Sequence, residues 1–222
     1  MDRLPKDSCT ASMATSARRP VAAPQLVFRV VLPAEQNSAA AGGGYGRAAS
    51  AMHWLVAARA VMVVVFGWAT EAAARNTPAR GSLLLLHGSI GLTILAVMIV
   101  RILWRWRHPA PVLPRSLARA EAALAHLTHL GLYLLFMGMP LAGYVNAAAQ
   151  GHAVSLFGMV SIPPLLPINL RLAQGAIAAH LVGQYLVYLL VAAHIAAALF
   201  HGIVRRDGVL ERMLPRRGEA QQ

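Results

Sequence analysis

The sequence contains a single cysteine, Cys9, among 222 residues. One thiol excludes an intramolecular disulfide framework, a thiolate metal site and the Cys-x-x-Cys-His motif of covalent cofactor attachment. Charged residues are also scarce, at 13% of the chain, with 8 Asp and Glu against 20 Lys and Arg. Hydrophobic residues make up 57% of the chain, more than ordinary soluble domains contain. The composition therefore indicates a membrane protein in which any metal or cofactor is held by ligands other than cysteine.

Four segments are long and apolar enough to cross a bilayer, which requires roughly 20 residues. They are Ala51 to Ala69, Leu83 to Trp104, Ala122 to Asn146 and Gly175 to Val204. We therefore predict an all-α integral membrane four-helix bundle with up-down-up-down topology. None of the four segments contains Asp or Glu, which argues against a proton relay built on carboxylates inside the spans.

The remainder of the chain divides around this bundle. Residues 1–44 are rich in Ala, Ser, Arg and Gly and offer little to bury, so we predict a disordered extension there. We assign residues 45–205 to the membrane domain and residues 206–222 to a basic cytoplasmic tail.

Basic residues lie mostly on one side of the predicted bundle. That side carries Arg47, Arg105, Arg107, Arg115, Arg119, Arg205, Arg206, Arg212, Arg216 and Arg217, and the opposite loops carry Arg75, Arg80 and Arg171. Because cytoplasmic flanks hold the excess of Lys and Arg, both termini are predicted to be cytoplasmic. The formal net charge of +12 is then mostly a topology signal with contacts to anionic lipid, and it does not indicate a nucleic-acid partner.

Histidines are the notable polar residues within the apolar segments. The fourth segment contains His180, His194 and His201. His180 and His194 are 14 residues apart, about 21 Å along a helix and within roughly 40° of one face, and His201 follows on that face. Polar residues inside spans are costly and usually functional, although an interhelical hydrogen bond would account for any one of these taken alone.

Alternating helix direction sorts the histidines into two depths. His53 begins the outward first helix and lies at the cytoplasmic level with His194. His87 begins the inward second helix and lies at the outer level with His180. Two facing imidazoles from different helices suit a six-coordinate haem b, whereas zinc requires three or four ligands at one level. We therefore predict two bis-histidine haems, one for each pair.

The motifs around these histidines resemble those of a known family. They are Tyr45-Gly-Arg47, Met52-His53-Trp54-Leu55, Leu86-His87-Gly88, MIVRILWRWRHPAP, LAHLTHLGLYLLF and the His-x13-His of the fourth helix that ends in HGIVRRDGVLERMLPRR. From about Tyr45 to Pro215 the set resembles the bacterial di-haem cytochrome b561 family, most closely its superoxide oxidase branch, in which superoxide reduces ubiquinone. The resemblance implies a multi-pass protein of the bacterial inner membrane.

The resemblance also implies roles for individual residues. The axial ligands of the family fall on the same four histidines, and a histidine that lies near the quinone corresponds to His201. Arg101 matches a family arginine. It lies 14 residues after His87, at the depth of the inner haem, and a haem propionate is its predicted partner. Snorkelling of Arg101 to the cytoplasmic surface is the alternative.

Other residues have less definite roles. His126 and His129 match a family His-x-x-His that does not ligate iron, and they would lie at the inner haem or the quinone pocket, or make structural hydrogen bonds. Arg59 departs from the apolar residue of the family and would raise the potential of the inner haem if it faces the bundle. Residues 154–167 resemble an amphipathic segment at the periplasmic surface.

The resemblance implies that superoxide reduces the outer haem, that the electron crosses to the inner haem, and that two such events reduce one ubiquinone. This reaction would make the protein a superoxide:quinone oxidoreductase. The outer arginines offset by Glu71 give only weak steering of the superoxide anion. A membrane anchor that transfers electrons for a separate dehydrogenase or redox partner is the alternative function. A third possibility, a haem-free transporter, predicts a stable and colourless protein.

Overall fold

The computed structural model of the protein describes residues 45–109 and 118–214. It contains four long helices: α1 (Arg47–Ala72), α2 (Pro78–Arg107), α3 (Arg119–Ala148) and α4 (Leu170–Leu199), the last of which continues as a π-helical turn, Phe200–Arg205. All four helices are long and apolar enough to cross a membrane. The predicted four-helix membrane fold is confirmed, and each helix extends beyond its predicted span. The predicted disordered extension, residues 1–44, lies outside the described residues.

Polar residues at the helix starts set the helix boundaries. Thr77 precedes Pro78, the first residue of α2, and its hydroxyl accepts a hydrogen bond from the Arg80 amide at 3.3 Å. The Asn169 side chain accepts one from the Leu172 amide at 3.1 Å and caps α4. These side chains satisfy amide groups that have no partner inside the helix, so the loops between helices end at defined positions.

The helices pack as two antiparallel pairs, α1 with α2 and α3 with α4, joined through contacts between α2 and α3. The buried cluster of Val56, Ile90, Ile94 and Met98 lies between α1 and α2, with partly buried aromatic residues of α3 against it. Within the described ranges, no Cα atom of α4 lies within 8 Å of one in α1 or α2. Helix α4 therefore meets the first helix pair through side chains.

A short β-hairpin, β1 (Val154–Leu156) with β2 (Val160–Ile162), lies between α3 and α4. No strand is predicted here from the sequence. Phe157 and Gly158 both have positive φ, 52° and 74°, as a tight type I′ hairpin turn requires. The buried Ser89 hydroxyl of α2 accepts a hydrogen bond from the Phe157 amide at 2.8 Å, which fixes the hairpin against α2.

The chain turns back after the π-helical turn. Arg206 adopts a left-handed conformation, with φ 52°, and the following residues run beneath the start of α1. There the Met213 carbonyl accepts hydrogen bonds from the Ser50 hydroxyl at 2.6 Å and the Trp54 indole at 2.8 Å. The described part of the predicted tail is thus bonded to the first helix.

Candidate functional site

The structure brings the predicted histidine pairs together at two levels. At the inner level, the rings of His53 and His194 lie 6.1 Å apart between centroids. At the outer level, His87 and His180 are 6.0 Å apart. Each histidine pair links α4 to either α1 or α2, so the imidazoles lie where α4 faces these two helices.

The spacing of the rings fits a metal ion held between two imidazoles. A bond from a metal to an imidazole nitrogen is about 2 Å long, so two such bonds and the half-widths of the rings bring the centroids to about 6 Å. Among the residues that the structure describes, no group of three or more His, Cys, Asp or Glu could hold a metal. Two axial ligands per level suit haem, whose macrocycle supplies the other four.

The outer pair has a hydrogen-bond arrangement typical of ligating histidines. The Nδ1 atom of His87 lies 2.9 Å from the Val63 carbonyl, and that of His180 lies 3.0 Å from the Met139 carbonyl. Because a carbonyl can only accept, each Nδ1 carries the proton and each Nε2 carries a lone pair. Hydrogen bonds of this kind orient the ring and raise its basicity as a ligand.

A glycine lies four residues after each of these carbonyls. A Cβ at Gly67 would lie 3.3 Å from the His87 ring, and one at Gly143 would lie 3.8 Å from the His180 ring. Residue i+4 of a helix lies next to carbonyl i, so a missing side chain there opens the carbonyl to an imidazole from another helix. The sequence analysis missed both glycines, since their spacing has meaning only once the partner histidines are known.

The inner level has different neighbours. Both terminal nitrogens of Arg101 lie 3.4 Å from Nδ1 of His53, and its Nε donates to the Tyr133 hydroxyl at 3.1 Å. The His129 ring lies 5.3 Å from that of His194. Arg101 and His129 thus lie at the predicted inner level, with Tyr133 as a contact that sequence reasoning missed. The propionate partner of Arg101 stays a prediction.

Two further histidines of the sequence analysis lie apart from the pairs. His126 bonds to the Ala122 carbonyl of its own helix at 2.6 Å. His201 lies on the π-helical turn, where its Nδ1 is 2.6 Å from Oδ2 of Asp207, with side-chain exposures of 13% and 15%. Sequence reasoning did not single out Asp207, because no helical spacing relates it to His201.

The Asp207 carboxylate is charged in this setting. Burial raises its pKa, but the hydrogen bonds that it accepts from His201 and the Val209 amide, together with the nearby charges of His201 and Arg205, lower the pKa by more. The net pKa lies below its usual value, because the charged form is the one that those donors stabilise.

The end of the bundle opposite His201 carries three arginines with different roles. Arg80 donates hydrogen bonds to the carbonyls of Thr70 and Ala73, which close the end of α1, and it pairs with Glu71 at 3.5 Å. Arg75 and Arg171 are exposed. The exposed positive charge at this end is therefore mainly that of Arg75 and Arg171.

Comparison with known proteins gives consistent matches. The family model of prokaryotic cytochrome b561 matches residues 44–216. The probable superoxide oxidase CybB of Yersinia pestis is 30% identical over 168 residues, which cover 75% of this chain and 93% of that protein. Cytochrome b561 homolog 2 of Escherichia coli K12 is 33% identical over 129 residues, 58% of this chain and 69% of that protein. Homolog 1 of the same strain is 27% identical over 170 residues, 75% and 94% of the two chains.

Proposed function

Because the chain belongs to the prokaryotic cytochrome b561 family of membrane-embedded, haem b-binding electron-transfer proteins, we propose that it binds two haems and oxidises periplasmic superoxide with ubiquinone as the acceptor. The facing imidazoles at two depths support the two-haem arrangement. The similarity to a protein named as a probable superoxide oxidase supports the choice of donor.

The four histidines hold the haems in this proposal. His87 and His180 bind one haem at the outer level, and His53 and His194 bind the other at the inner level. Each bound haem supplies a one-electron couple. The rings of the outer pair are oriented in advance by carbonyls at 2.9 and 3.0 Å, which reduces the reorganisation needed for ligation.

The overall reaction balances electrons and protons across the two sides. Two superoxide anions each lose one electron and leave as dioxygen. One ubiquinone gains those two electrons and two protons and leaves as ubiquinol. Exposed Arg75 and Arg171 attract the anionic donor at the outer side, and His201 is the proton donor to the quinone at the inner side.

An electron-transfer anchor for a partner protein is the second candidate. The observation that favours it is a set of apolar side chains between α3 and α4 that the fold leaves exposed: Phe157 and Met159 are 41% and 80% exposed, and Leu165 and Ile168 are 73% and 74% exposed. These side chains could contact a protein donor, since exposed apolar residues mark sites of contact with proteins or with the membrane.

Rapid mixing of the purified haem-loaded protein with superoxide distinguishes the two. Superoxide oxidase activity requires that superoxide reduce the haems, which is followed at the α band, and that ubiquinol then form from an added ubiquinone analogue. Superoxide dismutase in the same mixture should abolish both signals. A normal b-type spectrum that superoxide leaves oxidised would instead favour the anchor function and a protein donor.

Charge steering provides a matched pair of variants for the same assay. Arg75→Gln removes a positive charge on the outer side, so we expect haem reduction by superoxide to slow by about two- to fivefold at low ionic strength. Arg107→Gln removes a charge that is also exposed, at the far end of α2, and the rate of this variant should match that of the unsubstituted protein. Equal slowing in both variants would contradict entry of superoxide from the outer side.

A further inference from the structure

The end of α4 carries a buried acid–base pair that the electron path does not require. His201 and Asp207 are joined by a 2.6 Å contact between Nδ1 and Oδ2. Both side chains are largely withdrawn from solvent. Withdrawing such a pair from water costs free energy, which the mutual attraction of the two groups repays only where their geometry is good.

The backbone is shaped to make this contact. The π-helical turn, Phe200–Arg205, widens the end of α4, and a helical widening of this type often marks a functional site. The left-handed Arg206 then reverses the chain and directs Asp207 back to His201. The other carboxylate oxygen, Oδ1, accepts the Val209 amide at 3.2 Å, so both oxygens have fixed partners.

Asp207 bonds to His201, and the neighbouring cation Arg205 has a different hydrogen-bond partner. Arg205, a cation close to the pair, bonds at 2.7 Å to Glu121 at the start of α3, and its charge also lowers the pKa of Asp207. Asp207 accepts the Nδ1 proton of His201, so the lone pair or the exchangeable proton lies on Nε2. Within the described ranges, no residue hydrogen-bonds that Nε2 atom, which is therefore the atom that can exchange a proton.

From this geometry we infer that Asp207 is a positioning residue for quinone protonation: it holds His201 with Nδ1–H inward and Nε2 available to the quinone. The inference rests on the proposed quinone reduction. The Nε2–H bond of an imidazolium breaks and an O–H bond forms on a quinone carbonyl oxygen as haem electrons arrive. Water on the cytoplasmic side returns the proton to Nε2, and Asp207 stays ionised and stabilises the imidazolium.

Single-turnover oxidation of the reduced holoprotein by ubiquinone-1 tests this role. The haems are reduced with dithionite, and their reoxidation is followed after mixing with the quinone. We expect Asp207→Asn to slow reoxidation by about 10- to 100-fold, within the range of general acid catalysis. Asp207→Glu, which keeps the charge, should restore part of that loss, and reduction of the haems by superoxide should be unchanged in both.

Glu121→Gln is the matched control. It removes the ion pair with Arg205 at the same end of the bundle, and Glu121 makes no hydrogen bond to His201 or Asp207 in the described part of the chain. Its reoxidation rate should equal that of the unsubstituted protein. Equal slowing in Glu121→Gln and Asp207→Asn would show a general loosening of this end and would overturn the inference.

The tautomer of His201 provides a readout that does not depend on activity. Nitrogen-15 NMR of histidine-labelled protein should show His201, identified by the signal lost in His201→Gln, as the Nδ1–H form or the imidazolium. A neutral Nε2–H form would overturn the inference, and this measurement on the unsubstituted protein holds even if Asp207→Asn does not fold.

The reoxidation rates separate the inference from the proposed function. If quinone reoxidises the haems of the unsubstituted protein and those of Asp207→Asn at the same rate, only the inference is overturned. No reoxidation of the unsubstituted protein by quinone would overturn the proposed function as well.

Discussion

At the scale of residues, the two histidine pairs differ in what each Nδ1 atom contacts. The outer rings face backbone carbonyls, and His53 faces the guanidinium of Arg101 at 3.4 Å. A carbonyl acceptor and a cation have opposite effects on the electron density of an imidazole. The two levels are therefore chemically distinct sites although both present two facing histidines.

The pairing predicts the outcome of ligand removal. His194→Leu should lower the haem content from two per chain to one, and His53→Leu should remove the same haem, because both ligands belong to the inner pair. His180→Leu should remove the other haem. A pyridine haemochrome assay measures the stoichiometry, and a redox titration identifies which haem remains. Loss of both haems when only the inner pair is changed would contradict the assignment.

The two glycines next to the outer pair form a matched test. Gly67→Ala places a Cβ 3.3 Å from the His87 ring, so we expect a displaced ring and a broadened or weakened α band. Gly143→Ala places it at an ordinary contact distance of 3.8 Å from His180. It should leave the spectrum unchanged and stabilise the helix by up to about 1 kcal/mol. Identical spectra for both variants would exclude a packing role for Gly67.

At the scale of elements, side chains from neighbouring helices hold the irregular segments. The outer hairpin is bonded to α2 through Ser89, whose hydroxyl lies 2.7 Å from the Leu85 carbonyl and 3.2 Å from the Ser155 carbonyl. The C-terminal turn, residues 206–214, is bonded to α1 through the Met213 carbonyl. The hairpin and the C-terminal turn are thus each held by hydrogen bonds to a helix.

Ser89→Ala should release the hairpin. The Phe157 amide loses its acceptor, and leaving such a group without a partner costs about 1–3 kcal/mol. Hydrogen exchange at the Phe157 amide should speed up, and the thermal midpoint should fall. Ser82 is the control. Its exposed hydroxyl bonds to the Pro78 carbonyl within α2, so Ser82→Ala should change the free energy of unfolding by less than about 0.5 kcal/mol. An unchanged exchange rate in Ser89→Ala would mean that this bond does not hold the hairpin.

At the scale of the whole molecule, charge asymmetry determines the predicted orientation. The exposed Arg75 and Arg171 lie at the end of the bundle opposite the C-terminal turn, and they are few beside the basic residues of the other end. Because the positive flank stays in the cytoplasm, the histidine pair nearest the C-terminal turn should be the inner one. The direction of electron transfer in the proposed function depends on this orientation.

Reporter fusions test the orientation directly. A fluorescent protein fused after Gln222 should be bright, and alkaline phosphatase fused there should be inactive, since both termini are predicted to be cytoplasmic. Alkaline phosphatase inserted after Asn76, in the turn between α1 and α2, should be active as the control. An active phosphatase at the C-terminus would reverse the assigned sides and require the donor and acceptor ends to be exchanged.

The sequence by itself determined the four helices and the depths of their histidines, because hydropathy and the rise per residue are local properties that need no knowledge of neighbours. His53, His87, His180 and His194 could be sorted into levels on that basis. Only the tertiary structure decided which groups surround them. The groups that contact the predicted site residues come from other helices or from an irregular turn. They are the carbonyls of Val63 and Met139, the glycines beside these carbonyls, Tyr133 next to Arg101, and Asp207 next to His201. Contacts of this kind depend on how helices rotate and where a chain reverses, and no periodicity along the chain encodes either.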